Sequence, residues 1–520
     1  MSKRLKLFLV CVIALSLILA GCGGSETVET GGDEVEDAGE KTVRTDLNFG
    51  LYGEPTSLDP HDAGDDCTRT LVYQIYDNLI REQPDNTLGP ALAESWEFSD
   101  DGTEITFYLR DNVKFHNGDI MTADDVVFSL NKALESSFTS RVTTAIDSAE
   151  IIDEKTVLLK LKHSFGPIEQ CLATANMGIL NKKAYEADPE GYKRKPVGTG
   201  PYEFVEWKSG EEITLKAFED YYKGAAPIKD VLIRFQSDPN TRVVSLEKGE
   251  IDFTIIVPVE DRTNIDNNPN LTLYPYDGTA VTCIRFNNKD KVFSNKKLRQ
   301  AIAHAIDKEA IILGAEDGYA STLETPMTKA AFGWPENFKN REYDLDKAKE
   351  LLAEAGYPDG LKCTITTSEL EDYRKRAEII QDLLKAIGID AEIDSLEWGA
   401  YLDKTLTQRD YQITSLNMTV PYLDADHIYE LFHSEMITKG RNFVLVENKE
   451  LDNLLDRARE SIDQEERKKL YADVAELWKE EVITIPLYVS DMAEAAHKDL
   501  KGIVPQRIIT EYNLSYFYWD

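Results

Sequence analysis

Residues 106–134 read TFYLRDNVKFHNGDIMTADDVVFSLNKAL, and this stretch decides the fold class. Its first part, Thr106 to Leu109, alternates faces as a half-buried strand does. Its last part is a helix. Thr122 is an N-cap residue type, and Asp125 stands three positions on, as a capping box requires. Val126, Val127, Leu130, Ala133 and Leu134 then fall on one helical face. A strand followed by a helix with one apolar face is material for a helix-on-sheet layer, which argues for a mixed α/β architecture.

The same alternation continues outward. Lys155 to Leu161 is a second strand with Val157, Leu159 and Leu161 on one side. Ser294 opens a second helix, with Leu298, Ala301, Ile302, Ala305 and Ile306 inward. Asp344 opens a third, which Gly356 closes in the position a left-handed cap needs. A fourth helix runs from about Glu371 to Gly388, and a helix pair covers Glu450 to Val482. The chain has 520 residues, too many for one ordinary core, so two or three lobes are expected.

The N-terminus sets the compartment. Lys3, Arg4 and Lys6 precede an apolar run, Leu7 to Ala20. Such a run is shorter than the roughly 20 residues that cross a bilayer core, and it has the length of a signal-peptide apolar region. It ends Leu19-Ala20-Gly21-Cys22, which resembles the lipobox of bacterial lipoproteins. That resemblance implies a signal peptide over 1–21, lipidation of Cys22, and anchoring rather than free secretion. Residues 22–43 are rich in glycine and acid and carry no apolar stripe, so a disordered acidic tether is expected. The expected location is the cell membrane, on its extracytoplasmic face.

Lys and Arg total 58 against 94 Asp and Glu, a formal net charge of −36. So acidic a chain repels nucleic acid and anionic lipid surfaces. Beyond Cys11 and Cys22 the cysteines are Cys67, Cys171, Cys283 and Cys363, none in CxxC spacing, and the sequence does not pair them. No cofactor is implied. The chain has seven histidines, and His427 and His433 stand six apart, not at the i, i+4 spacing of a helical metal pair. There is no Gly-x-Ser-x-Gly elbow and no phosphate-cradling loop, so a secreted hydrolase is the remote alternative. Asp100-Asp101-Gly102 reads as a turn and Asp124-Asp125 as a helix start.

Several segments in order carry a resemblance. They are Ser57-Leu58-Asp59-Pro60-His61, Leu92-Ala93-Glu94-Ser95-Trp96, Phe107 to Gly118, Thr122 to Leu130, Gly198-Thr199-Gly200-Pro201-Tyr202, Leu298-Arg299-Gln300-Ala301-Ile302 and Ile485-Pro486-Leu487-Tyr488. Together they resemble family 5 of the extracellular solute-binding proteins, which serve peptide and nickel ABC importers. The resemblance implies a two-lobed clamshell of the type II periplasmic-binding-protein kind with an extra inserted subdomain. Lobe I would comprise 44–88, 198–280 and 490–520, the insert 89–197, and lobe II 281–489. The implied partners are a peptide or other small solute, an ABC permease with its ATPase subunits, and the membrane through the lipid anchor. The chain would act as a monomer without catalysis.

The same resemblance places the ligand walls. One would follow Pro60, with Asp65, Asp66, Cys67 and Thr68 as candidates, although Asp65-Asp66 equally suits a helix start. The opposite wall would hold Trp398 and Tyr401, a large flat apolar surface that tolerates varied ligands. A third segment supplies Met418, Tyr422, Asp424 and Asp426. Peptide binders typically carry an aspartate where Pro421 falls, to hold the peptide ammonium. Pro421 cannot do this, and Pro-Tyr is closer to the nickel branch, so Asp424 or Asp426 for an ammonium and His427 for a metal chelate both stay open.

Overall fold

Strands Leu271–Phe286 and Thr484–His497 run antiparallel to each other through the middle of the molecule. The computed structural model describes residues 44–83, 87–418, 422–505 and 512–520. The leader, Cys22, the tether 22–43 and Pro421 lie outside them.

Both long strands belong to one sheet of eleven strands among the described residues. On one side of them lie Phe253–Thr254, Asp46–Leu51, Asp230–Phe235, Glu212–Ala217 and Tyr202–Lys208; on the other lie Ile413–Met418, Leu361–Ser368 and Ile389–Leu396. Residues 271–277 of the first long strand pair with 491–497 of the second, and 281–285 pair with 484–489. Between Asp277 and Val281 the register breaks, three residues standing opposite the single Ser490. Gly278 lies at this break, where an added Cβ would sit 2.9 Å from the Ser490 carbonyl oxygen, so the two backbones approach closer than a side chain allows.

Each half of the sheet has its own core. Phe49, Leu71, Ile75, Val231 and Phe253 build lobe I, while Ile284, Ile302, Leu384 and Leu487 build one layer of lobe II. A second lobe II layer packs Tyr429, Val474 and Trp478 under the helix pair Lys449–Glu460 and Gln464–Glu481. The inserted unit is a separate four-stranded sheet, in the order 93–98, 104–109, 156–161, 146–153, covered by helix Ala123–Glu135. Thr122 and Asp125 form the capping box there, the Thr122 N–H donating to the Asp125 carboxylate at 2.9 Å.

The other helix starts follow local chemistry closely. Asp344 caps Leu345–Glu354, and Gly356 closes it at φ 96°. The helix expected from Ser294 instead takes Asn295 as its cap, because the Asn295 carboxamide accepts from the N–H groups of Lys297 and Leu298. The insert is locked to lobe I. Asn78 donates to the carbonyls of Leu172 (3.0 Å) and Thr174 (2.6 Å), and His116 N–H donates to the Gly198 carbonyl at 2.9 Å. A Cβ on Gly198 would lie 1.9 Å from the Ile75 carbonyl oxygen, which explains why the Gly198-Thr199-Gly200 segment has no side chain at its closest approach.

Candidate functional site

Helix Glu371–Lys385 lays Tyr373, Arg376, Ala377, Ile380 and Leu384 against the lobe II sheet. Arg376 stands in that otherwise apolar stripe and is fully buried. Its Nε donates to Ser415 Oγ at 2.9 Å, and its Nη1 donates to the Tyr488 hydroxyl at 2.5 Å and Asn417 Oδ1 at 3.3 Å. Among the described residues its Nη2 has no hydrogen-bond partner and no carboxylate forms an ion pair with it. The guanidinium lies over the Tyr373 ring at 4.6 Å. Burial works against its charge, but the Tyr488 and Tyr373 hydroxyls and Asp372 outweigh this and hold its pKa above the ordinary value.

Trp398 completes this wall. Its ring meets Tyr373 at 5.4 Å, edge-on, and remains 37% exposed. Glu397 caps the short helix Trp398–Leu402 by accepting from the N–H groups of Gly399 and Ala400, which fixes the indole at the helix start. Tyr401 is fully buried behind it, its hydroxyl donating to the Ser415 carbonyl at 2.8 Å. Tyr488 in turn donates to Glu316 Oε1 at 2.7 Å, and Ser490 to Glu316 Oε2 at 3.1 Å. One polar chain therefore runs from beneath Trp398 to the register break between the lobes.

The other candidates fall into different surroundings. Asp65 is the N-cap of helix Asp66–Ile75, accepting from Thr68 N–H at 2.8 Å and from the hydroxyls of Thr68 (2.6 Å) and Thr56 (2.8 Å). Thr68 and Cys67 are buried, and Asp66 pairs with Arg69 on the half-exposed outer side. In this conformation Asp65 and Thr68 form the cap of the helix start. Cys67, Cys171, Cys283 and Cys363 are free and buried.

Met418 ends strand Ile413–Met418, half-buried and register partner of Val281. Tyr422 is buried in the core of the insert, although it belongs to lobe II by sequence. Asp424 has no exposed surface. It caps helix Ala425–Tyr429, and both its oxygens accept from Nη2 of the buried Arg467, at 2.8 and 2.9 Å. Burial pushes its carboxyl pKa up and Arg467 opposes this, so the carboxylate that an ammonium would need is already held by an internal cation. Asp426 is likewise buried and accepts from Arg459 Nε at 2.9 Å. Tyr422 and Asp424 line a cavity of about 900 Å³ between the insert and lobe II, together with Glu169, Phe332, Trp334 and Lys468.

His427 is 5% exposed, with its ring 4.8 Å from that of Tyr422. Burial, then the charges of Arg141, Arg441 and Arg459, lower its pKa to about 3. Those three guanidinium groups also oppose a cation at this imidazole. Among the described residues no three His, Cys, Asp or Glu side chains are gathered as a metal set, and no helix is long and apolar enough to cross a membrane.

Two lobes strung on one sheet, with an inserted subdomain on the first, define a two-lobed solute-binding fold. The family model described as "Bacterial extracellular solute-binding proteins, family 5 Middle" matches residues 87–438, and the chain belongs to that family. It is 28% identical to the oligopeptide-binding protein AppA of Bacillus subtilis, over 96% of each chain. It is 30% identical to the glutathione-binding protein GsiB of Salmonella paratyphi A, over 86% of this chain and 89% of that one. Among solved structures it is similar to HbpA2 of Haemophilus parasuis (TM-score 0.84, 26% identity, 91% and 100% of the two chains). It is also similar to AppA of Bacillus subtilis in complex with a nonapeptide (0.68, 27%, 92% and 100%) and to NikZ of Campylobacter jejuni in complex with Ni(L-His) (0.71, 26%, 91% and 99%).

Two outcomes are expected of these residues. Asp424→Asn leaves a buried guanidinium without its counter-charge, which costs about 3 kcal/mol or more. Thermal unfolding should therefore show a clear loss of stability; an unchanged midpoint would mean that the ion pair is dispensable. For His427 the folded pKa lies below the unfolded one, so the unfolded chain binds the extra proton. Its contribution is complete above the unfolded pKa near 6.5 and is lost as pH falls toward 3, by up to about 1.4 kcal/mol per pH unit. His427→Leu should flatten the stability profile between pH 6.5 and 4, and an unaltered slope in denaturant titrations would contradict a neutral buried imidazole.

Proposed function

We propose that this chain is the lipid-anchored receptor of an ABC importer, which captures peptides outside the membrane between its two lobes and delivers them to the permease. The observation that carries the reading is Trp398. It is an indole left 37% exposed on an otherwise buried aromatic cluster of lobe II, the kind of flat surface on which a ligand of varied sequence can lie. The full-length similarity to the oligopeptide-binding AppA supports the peptide class over the nickel–histidine one, and so do the guanidinium groups around His427. A metal chelate is the second reading, favoured by Pro421-Tyr422 in place of a peptide-binding aspartate. The wall formed by Trp398 and Met418 takes the ligand in this proposal, Tyr401 backs it, and Asp65 to Thr68 shape the facing segment.

At the same level of identity, overlap falls from 0.84 with HbpA2 to 0.68 and 0.71 with the two ligand complexes. A difference in the angle between lobes lowers a global score in this way, and the clamshell reading expects that angle to change between the free and the liganded receptor. Ligand then acts by binding the closed arrangement more tightly than the open one. The hinge of this motion is assigned to residues 278–280 and Ser490, where the ladder is interrupted. No catalytic step belongs to the proposal, and the energy for transport comes from the partner ATPase.

Two experiments test it. Calorimetry with short synthetic peptides and with nickel–histidine identifies the class. Trp398→Ala should weaken the better ligand at least tenfold, a change of about 1.4 kcal/mol, while the apo thermal midpoint barely moves. Undiminished affinity combined with a collapsed midpoint would make the indole a core residue. Cys22→Ser should abolish palmitate incorporation and leave the precursor unprocessed; labelling equal to wild type would remove the anchor from the proposal.

A further inference from the structure

Lobe II touches the first half of the molecule at a third place besides the two crossing strands. Gly166 N–H, in the insert, donates to the Arg459 carbonyl of lobe II at 2.7 Å, and Arg467 Nη1 donates back to the Gly166 carbonyl at 3.3 Å. The Ser164 hydroxyl donates to the Glu460 carbonyl, and Gln464 Nε2 donates to Glu169 Oε2 at 3.3 Å. Tyr422 of lobe II is 3% exposed within the insert core. The guanidinium that reaches Gly166 is the one that Asp424 accepts from through both its oxygens.

We propose that this junction is a pivot, which with the two crossing strands fixes the axis about which the lobes rotate. When two bodies rotate, contacts that persist must lie close to the axis, because displacement grows with distance from it. The junction meets this condition. Met418 is the register partner of Val281, the first paired residue beyond the break, and Tyr422 is four residues further along. Four residues span at most about 14 Å, so the junction lies beside the crossing and not at the far rim. The insert cannot yield in its place, since Asn78 and His116 fasten it to lobe I. A clamp on two adjacent strands alone could twist as well as close. The third attachment removes the twist and leaves one hinge motion.

Gly166 offers a wedge. An alanine Cβ there would stand 2.2 Å from the Ser461 carbonyl oxygen and 2.6 Å from Arg467 Nε, so Gly166→Ala pushes the lobe II loop away. The measurement is the inter-lobe distance distribution of the full-length apo protein, from nitroxides on the exposed Lys208→Cys and Lys362→Cys, by double electron–electron resonance. The wild-type background should give one narrow distribution, and Gly166→Ala should widen it at least twofold. An unchanged width overturns the pivot. A shift to a single shorter and equally narrow distance also overturns it, since that is a latch released from the open form. Should Gly166→Ala fail to fold, the double variant Ser164→Ala, Gln464→Ala removes only side-chain bonds of the junction. It should widen the distribution in the same sense, and no widening there counts equally against the pivot. The measurement needs no ligand, so it is independent of the peptide class proposed above.

Discussion

A β-sheet that continues through two lobes can bend only where its backbone hydrogen bonds are already interrupted, because each unpaired N–H or C=O in a closed ladder carries a desolvation cost. In this chain the ladder between Leu271–Phe286 and Thr484–His497 is interrupted most widely between Asp277 and Val281, opposite Ser490, with a one-residue shift between Thr282 and Cys283 just beyond. The rest of the architecture hangs on that break. The lobe I strands register against one end of the long pair and the lobe II strands against the other. Gly278 keeps the two backbones close at that point without a side chain between them.

Two buried arginines connect this frame to the surfaces around it. Arg376 reaches Tyr488 on a crossing strand, and Tyr488 and Ser490 both donate to Glu316, so the wall beneath Trp398 and the break between the lobes share one hydrogen-bonded chain. Arg467 holds Asp424 on one side and the Gly166 carbonyl on the other, so the lobe II helix pair and the insert share another. Neither arginine increases stability merely by being charged, since burying an ion is unfavourable until its partners are in place. What they provide is directional: a planar fork with fixed donor angles admits few relative placements of the elements it joins.

Much of the element structure was legible in the chain. Thr122 with Asp125, Asp344 with Gly356, and the stripe Leu298, Ala301, Ile302, Ala305 announce helices that the molecule forms, with Asn295 replacing Ser294 as a cap by one position. The ordered motifs from Ser57 to Tyr488 were likewise enough to suggest the family. The site was less legible. Asp65 to Thr68 read equally as a wall or as a helix start, and the cap that Asp65 and Thr68 form there appears only in their hydrogen bonds. Arg376 and Arg467 were passed over, although a signal existed: each interrupts an apolar stripe, at the Tyr373–Ala377–Ile380 spacing and the Leu470–Tyr471–Val474 spacing. A charge on the buried face of a helix marks a place where the core must supply a partner.

The clamshell was implied by the resemblance of the ordered motifs to a known family; read residue by residue, the sequence determined which segments are strands and which are helices, and where most helices begin. It could do so because those features depend on residues three or four apart, or on a periodicity of two or 3.6. Tertiary structure alone decided that Tyr422 enters the core of the insert and that Gly166 meets Arg459 and Arg467. It alone decided that Asp424 faces Arg467 rather than solvent. These partners lie tens to hundreds of residues apart, and their meeting follows from how the two half-sheets are set on the crossing strands. No local propensity encodes that placement; it emerges only when both lobes and the insert are packed together.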